Sequence, residues 1–217
     1  LSDGIDAGDF GAWLIQARAA LRGTQGSRVP CGDCTGCCTS FYSIEVRPTD
    51  AAALEQIPPK SLYRTLGATT GNWTVRPNAD GTCPMLSCGK CTIYAQRPQT
   101  CLDYDCRVFA AAGITAGGAD KAVINRRVEE WRFQFVRDED RAAHAAIRAA
   151  AAFIRDQRAR FAPGTAPLNP LGIAALALRV YPVFLPPGPR DDPADTARAI
   201  VAAGVAFDLG KNAGDVV

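Results

Sequence analysis

Histidine is almost absent: His144 is the single one in 217 residues. Catalytic zinc keeps an open position among histidine or carboxylate ligands. A lone imidazole in an alanine-rich stretch, remote from every cysteine, argues against zinc hydrolysis and is expected at the surface. Lysine is scarce too, with only Lys60, Lys90, Lys121 and Lys211. The formal net charge of +2 is too small to imply a nucleic-acid partner. No run reaches the 18 or so uncharged apolar residues that a membrane helix needs. The most apolar stretch, Leu171 to Leu185, is broken by Arg179 and Pro182. No charged segment followed by an apolar core and a small-residue cleavage site stands at the N-terminus. The expectation is a soluble cytoplasmic protein with no membrane partner. Also missing are any internal repeat and any strand leading into a G-x-G turn and helix, the device that cradles a nucleotide.

Cysteine is what the chain has in plenty, nine in all. Cys31, Cys34, Cys37 and Cys38 fall within one short run, and Cys83, Cys88, Cys91, Cys101 and Cys106 follow. An odd count, an adjacent pair and short C-x-x-C loops argue against a disulfide framework and for metal. Soft thiolates four to a centre suit zinc or iron–sulfur chemistry. Cys31, Cys34 and Cys37 have the C-x2-C-x2-C spacing of bacterial ferredoxins, and Cys83-Pro84 resembles the remote Cys-Pro that completes such a set. A C-x2-C knuckle serves zinc equally. Side chains at adjacent positions diverge, so Cys37 and Cys38 are expected to serve two centres or to bridge two metals. The glycines of this run, Gly32 and Gly36, let the backbone wrap tightly and aim amides at sulfur.

Around these clusters the reading is mainly α with a small irregular or β element. A cysteine-rich, metal-organised region over 1–118 is expected to pack with a helical region over 119–217, with one continuous domain as the alternative. Phe10, Trp13, Leu14, Ala17 and Leu21 recur at helical spacing, predicting a helix from Asp9 to about Arg22. Residues 41–46 and 73–76 read as short strands. Pro48-Thr49-Asp50 reads as the start of a two-turn helix, and Ile93 to Gln96 as one helical turn. Residues 120–136 read as a helix with Val123, Val128, Trp131 and Phe135 inward. Residues 138–160 read as another, capped by Asp138. Asn169-Pro170 and Asp192-Pro193 start two more. Nine arginines between Arg126 and Arg160 read as a solvated, ion-paired helix face.

The ordered set Cys31 to Cys38, Thr49-Asp50, Gly81-Thr82-Cys83-Pro84, Cys91-Thr92-Ile93-Tyr94, Arg97-Pro98-Gln99-Thr100-Cys101 and Cys106 resembles the YkgJ-type cysteine-cluster family, a zinc- or iron-chelating domain named for CxxCxxCC. The resemblance covers roughly residues 28 to 107. It implies Cys31, Cys34, Cys37, Cys38, Cys83, Cys91, Cys101 and Cys106 as metal ligands and gives Cys88 no counterpart. Leu102 stands where the family commonly has arginine. Two centres are implied, iron–sulfur in preference to zinc, in a bacterial protein with a redox, sensing or metal-handling role. The alternative is a cluster-dependent enzyme, since the flagellin lysine-N-methylase branch carries this cluster and uses S-adenosylmethionine. A nucleic-acid module has poor support: residues 83–107 set Lys90, Arg97 and Arg107 against Asp103 and Asp105. The partner is therefore expected to be a protein or a small molecule. Tyr94, Arg97 and Tyr104, lying between ligands, are expected to pack over the cluster and pair with acids such as Asp103 or Asp105.

Overall fold

The computed structural model describes residues 4–23, 26–27, 29–64 and 71–210. Its elements begin with strand β1 (Ile5–Asp9) and helix α1 (Phe10–Leu21), then β2 (Ile44–Val46) and α2 (Ala51–Gln56). Strands β3 (Leu62–Tyr63), β4 (Trp73–Val75), β5 (Leu86–Ser87) and β6 (Lys90–Cys91) precede α3 (Gln99–Asp103) and α4 (Arg107–Ala112). Helix α5 (Ala122–Glu130), strand β7 (Trp131–Gln134), and helices α6 (Asp138–Asp156), α7 (Pro170–Val180) and α8 (Pro193–Asp208) complete it. The fold is mainly α with small β elements, as the sequence predicts. Two compact units emerge: residues 1–25, 106–117 and 128–217 form the first, 26–105 and 118–127 the second.

The first unit holds the long helices. Asp9 caps α1 by accepting from the Ala12 amide at 2.7 Å, and Asn169 caps α7 through the Gly172 amide at 2.7 Å. Ile147, Ile154, Leu178 and Ile200 are fully buried, so the apolar stripes of α6, α7 and α8 face a common core. At the start of α6 the sequence reading needs correction. Asp138 is exposed, and the first turn is closed instead by Asp140, whose carboxylate accepts from the Arg137 amide at 3.2 Å and its guanidinium at 2.8 Å. Gly11 on α1 makes room for that pair: a Cβ there would meet Asp140 Oδ1 at 2.5 Å.

Residues 120–136 also depart from the expected helix. Helix α5 ends at Glu130, and β7 pairs in parallel with β1, Ile5 opposite Trp131 and Asp9 opposite Gln134. Trp131, Phe133 and Phe135 alternate with exposed Arg132, Gln134 and Val136, a period of two that outweighs the helical spacing of Val128, Trp131 and Phe135. Val123 is exposed, and Ile124 takes the buried position.

His144 is half-buried rather than on the surface. Its ring packs against Phe10 and Phe135, both at 5.1 Å between centroids, and Nε2 is buried without a hydrogen-bond partner. Burial lowers its pKa, the nearby Arg148 charge adds to the effect, and a hydrogen bond with the Ala110 backbone works against it. A group whose folded pKa lies below its unfolded value of about 6.5 takes up more protons when unfolded. Its contribution to stability is therefore complete above pH 6.5 or so and falls as the pH drops through that value. Melting temperatures measured from pH 8 down to 5.5 are expected to decline over the lower part of that range, and His144→Gln should flatten the decline. An equal decline in the variant would refute this assignment.

The second unit is smaller in its apolar content. Antiparallel strands in the order β2-β4-β3 pair Ile44 and Leu62 with Val75. Val46, Ala53, Ile57, Val75, Met85 and Ile93 form its buried cluster, and Cys83 and Cys91 pack against it. Strands β5 and β6 make a hairpin, Leu86 opposite Cys91, turned by Cys88 and Gly89 at φ 47° and 71°. Two successive left-handed residues are what a tight two-residue hairpin requires.

Candidate metal centre

The first cysteine run folds as a turn followed by a 3-10 helix at Gly36–Thr39. The Cys34 amide donates to the Cys31 carbonyl at 3.0 Å, and the Cys38 amide to that of Thr35 at 2.8 Å. The Gly36 amide reaches the Cys34 sulfur at 3.4 Å, one of the inward amides that the glycines of this run predict. Gly36 is buried, and a Cβ there would stand 3.1 Å from Ile124 Cγ1 and 3.5 Å from Cys34 Sγ. A side chain there would touch the sulfur normally but would push Ile124 by a few tenths of an ångström. Beyond the run, the Ser40 hydroxyl donates to the Gly36 carbonyl at 2.5 Å, and Lys121 donates to the Ser40 carbonyl.

One backbone hydrogen bond ties this run to the second. The Cys83 amide donates to the Cys38 carbonyl at 2.7 Å, and the Phe41 amide to that of Gly81 at 3.1 Å. Asp50 does not cap α2 with its carboxylate. One of its oxygens accepts from the Arg47 amide at 2.8 Å and the other from the Gln99 amide at 3.0 Å, fixing the start of α3 and with it Cys101. Thr100 adds a bond from its hydroxyl to the Glu45 carbonyl at 2.8 Å. Cys91 is placed by the β5–β6 hairpin.

The electrostatics report the same gathering. Burial pushes the Cys31 thiol up to about 11, and the neighbouring Cys37 and Cys34 add to the shift. Cys101 is pushed up to about 12 by burial, then by Cys37, Cys83 and Cys91. Cys83 is raised by burial, with Cys91 and Cys37 contributing and a hydrogen bond from the Met85 backbone opposing. Cys37 is raised most strongly, first by a hydrogen bond with the Cys38 thiol and then by burial. Its residue surface is open, yet its sulfur lies in the field of thiols from both runs. The Arg97 charge lowers both Cys31 and Cys101.

Seven of the eight sequence-assigned ligands, Cys31, Cys34, Cys37, Cys38, Cys83, Cys91 and Cys101, belong to the second unit. Cys106 belongs to the first, buried, with its sulfur accepting from Trp131 Nε1 at 3.3 Å. Cys88 is exposed at the hairpin tip. All nine cysteines are free thiols. Among the described residues no three Cys, His, Asp or Glu side chains close into a ready-made metal cage. The donor set nevertheless fits a metal. Half-buried thiols that raise one another's pKa cannot ionise together unless a cation neutralises them, and a soft divalent or cluster-type metal does that.

The flanking side chains depart from expectation. Arg97 stacks on Tyr94, 3.9 Å from the ring centroid, and donates to the Tyr94 carbonyl at 2.8 Å. It pairs with neither nearby acid: Asp103 accepts from Gln99 at 2.7 Å and Asp105 from Ser27 at 2.6 Å. Tyr104 hydrogen-bonds Tyr42 through their hydroxyls at 3.0 Å.

A cysteine-rich metal-binding domain is the class these features define. Residues 30–124, which hold every cysteine of the chain, match the CxxCxxCC family model, described as "Putative zinc- or iron-chelating domain". No curated protein and no solved structure matches the chain. Among the described residues no helix is long and apolar enough to cross a membrane.

Proposed function

We propose that the chain is a metal-binding protein whose thiolates Cys31, Cys34, Cys37, Cys38, Cys83, Cys91, Cys101 and Cys106 hold two centres, iron–sulfur in preference to zinc, for a redox, sensing or metal-handling role. The observation that carries this reading is the position of Cys37. Its charge raises the pKa of Cys31 in its own run and of Cys83 and Cys101 in the other, which supports placing Cys37 between the two runs of donors. Its neighbour Cys38 carries the backbone bond between the runs.

When bound, an iron–sulfur cluster would supply a one-electron couple. The chain's own residues set its surroundings. Gly36 N–H and the Met85 backbone direct partial positive charge at sulfur, and the Arg97 guanidinium favours the anionic state of Cys31 and Cys101. Such groups raise a cluster's potential. Free thiols in this number fit a reducing compartment, which supports a cytoplasmic location. The partner is a protein or small molecule rather than nucleic acid.

Reversible bleaching is the test. Protein prepared without oxygen is expected to be brown, to lose visible absorption with dithionite and to regain it on reoxidation. Protein that is colourless and unresponsive to dithionite would overturn the iron–sulfur assignment.

A further inference from the structure

Outside the cysteine runs, three arginines of the first unit converge on one buried ring. The guanidinium carbons of Arg22, Arg18 and Arg179 lie 4.3, 4.7 and 5.7 Å from the Phe207 ring centroid. Arg18 also lies over Tyr181 at 5.2 Å. A single aromatic face favours one cation, but three cations on one ring repel each other. Among the described residues Asp208 is the carboxylate that answers them, pairing with Arg179 at 3.1 Å and itself largely exposed. The cluster thus keeps an excess of positive charge on a protein whose formal net charge is only +2.

Two details distinguish this from a purely structural stack. Arg179 Nε is buried and donates to nothing, leaving a fork donor of the guanidinium without an acceptor. Arg18 is fixed in place, donating to the Leu178 carbonyl at 2.5 Å and the Arg179 carbonyl at 3.2 Å, the open end of α7. Arg22, by contrast, is exposed and held by ring stacking. A rigid cation, an unsatisfied donor and an exposed arm make a preorganised receptor for a tetrahedral oxyanion, since guanidinium forks match phosphate oxygens in pairs. The depressed pKa of Arg18, caused by burial and then opposed and aided by Tyr181 and Arg22 respectively, is consistent with a site that gains by taking up an anion.

We infer that Arg18, Arg22 and Arg179, arrayed around Phe207, form a binding site for a phosphate group, free or carried on a small ester. The site is independent of the metal centre and does not depend on how many metals that centre holds.

Calorimetric titration of the full-length, metal-loaded protein with inorganic phosphate, in phosphate-free buffer at ionic strength matched with sodium chloride, tests this. Saturable binding at one phosphate per chain is expected. Arg22→Ala should weaken it by about tenfold to a hundredfold, the loss typical of a charge-assisted hydrogen bond. The same variant should melt no lower than the parent in chloride alone, because removing one of three like charges offsets the lost stacking. Asp208→Asn should bind phosphate more tightly. Phenyl phosphate displacing the bound anion identifies an ester as the natural carrier; failure to displace it identifies the free anion. Absence of saturable binding, or an Arg22→Ala variant that binds as well as the parent, would overturn the proposal. An equal loss of melting temperature for that variant in chloride and in phosphate would do the same, since a structural role alone produces it.

Discussion

Cys34→Ser is expected to lose bound metal and to unfold the second unit. The buried apolar cluster there consists of Val46, Ala53, Ile57, Val75, Met85 and Ile93, a small core for a unit spanning 26–105 and 118–127. Ordering each residue costs about 1–2 kcal/mol in backbone entropy, which a core of this size offsets only in part. Metal is the natural source of the remainder, since structural zinc contributes roughly 10–16 kcal/mol in zinc-finger peptides. Serine keeps the size of Cys34 but removes the thiolate, and the Gly36 amide then faces a weaker acceptor. Hydrogen exchange should show protection lost across residues 29–105. A Cys34→Ser protein with full metal content and unchanged protection would show that Cys34 is no ligand.

Cys37→Ser is expected to be more damaging to metal content than any other single exchange, and Cys88→Ser to have no effect on it. Cys37 raises the pKa of thiols in both cysteine runs, so if the chain holds the two proposed centres, its loss should deplete both together. Cys88 is exposed at the tip of the β5–β6 hairpin, where its left-handed backbone serves the turn. Serine tolerates that position as well as cysteine does, so folding and loading should stay as in the parent. Metal content per chain, measured on both variants purified side by side, decides it. Loss of metal from Cys88→Ser, with Cys37→Ser fully loaded, would reverse the assignment.

Capping and periodicity made much of the helical part readable in advance. Asp9, Asn169-Pro170 and Asp192-Pro193 start α1, α7 and α8 as cap chemistry requires, because each signal is local to a few residues. The failures are equally physical. Trp131 and Phe135 fit both a helical and an alternating period when flanked by charged residues, and the pairing that decides for a strand comes from Ile5–Asp9, more than a hundred residues earlier. Nothing local announces that partner. The cap of α6 shifted for a similar reason, since buried Asp140 answers Arg137 beside Gly11 of α1. His144 lies on a helix of alanines and arginines, and its aromatic surroundings come from other elements.

The two cysteine runs were visible in the sequence, but the bonds that join them were not. The bond from Cys83 N to the Cys38 carbonyl and the double use of Asp50 join segments far apart in the chain. The β5–β6 hairpin was missed because its strands are two residues each, although Cys88-Gly89 holds the left-handed pair that such a turn demands. Arg97 was assigned to the acids that follow it, whereas the chain turns it back onto Tyr94. The arginine cluster at Phe207 combines residues from α1, α7 and α8 and the turn after α1, a combination that no single stretch reveals.

The most direct test of the metal centre is determination of iron, zinc and acid-labile sulfide per chain in protein purified without oxygen. The proposal predicts bound iron with acid-labile sulfide, in amounts that fall together in Cys37→Ser. About two zinc per chain without sulfide would contradict the iron–sulfur assignment while preserving two thiolate centres. A folded, metal-free chain would contradict the metal-binding account itself.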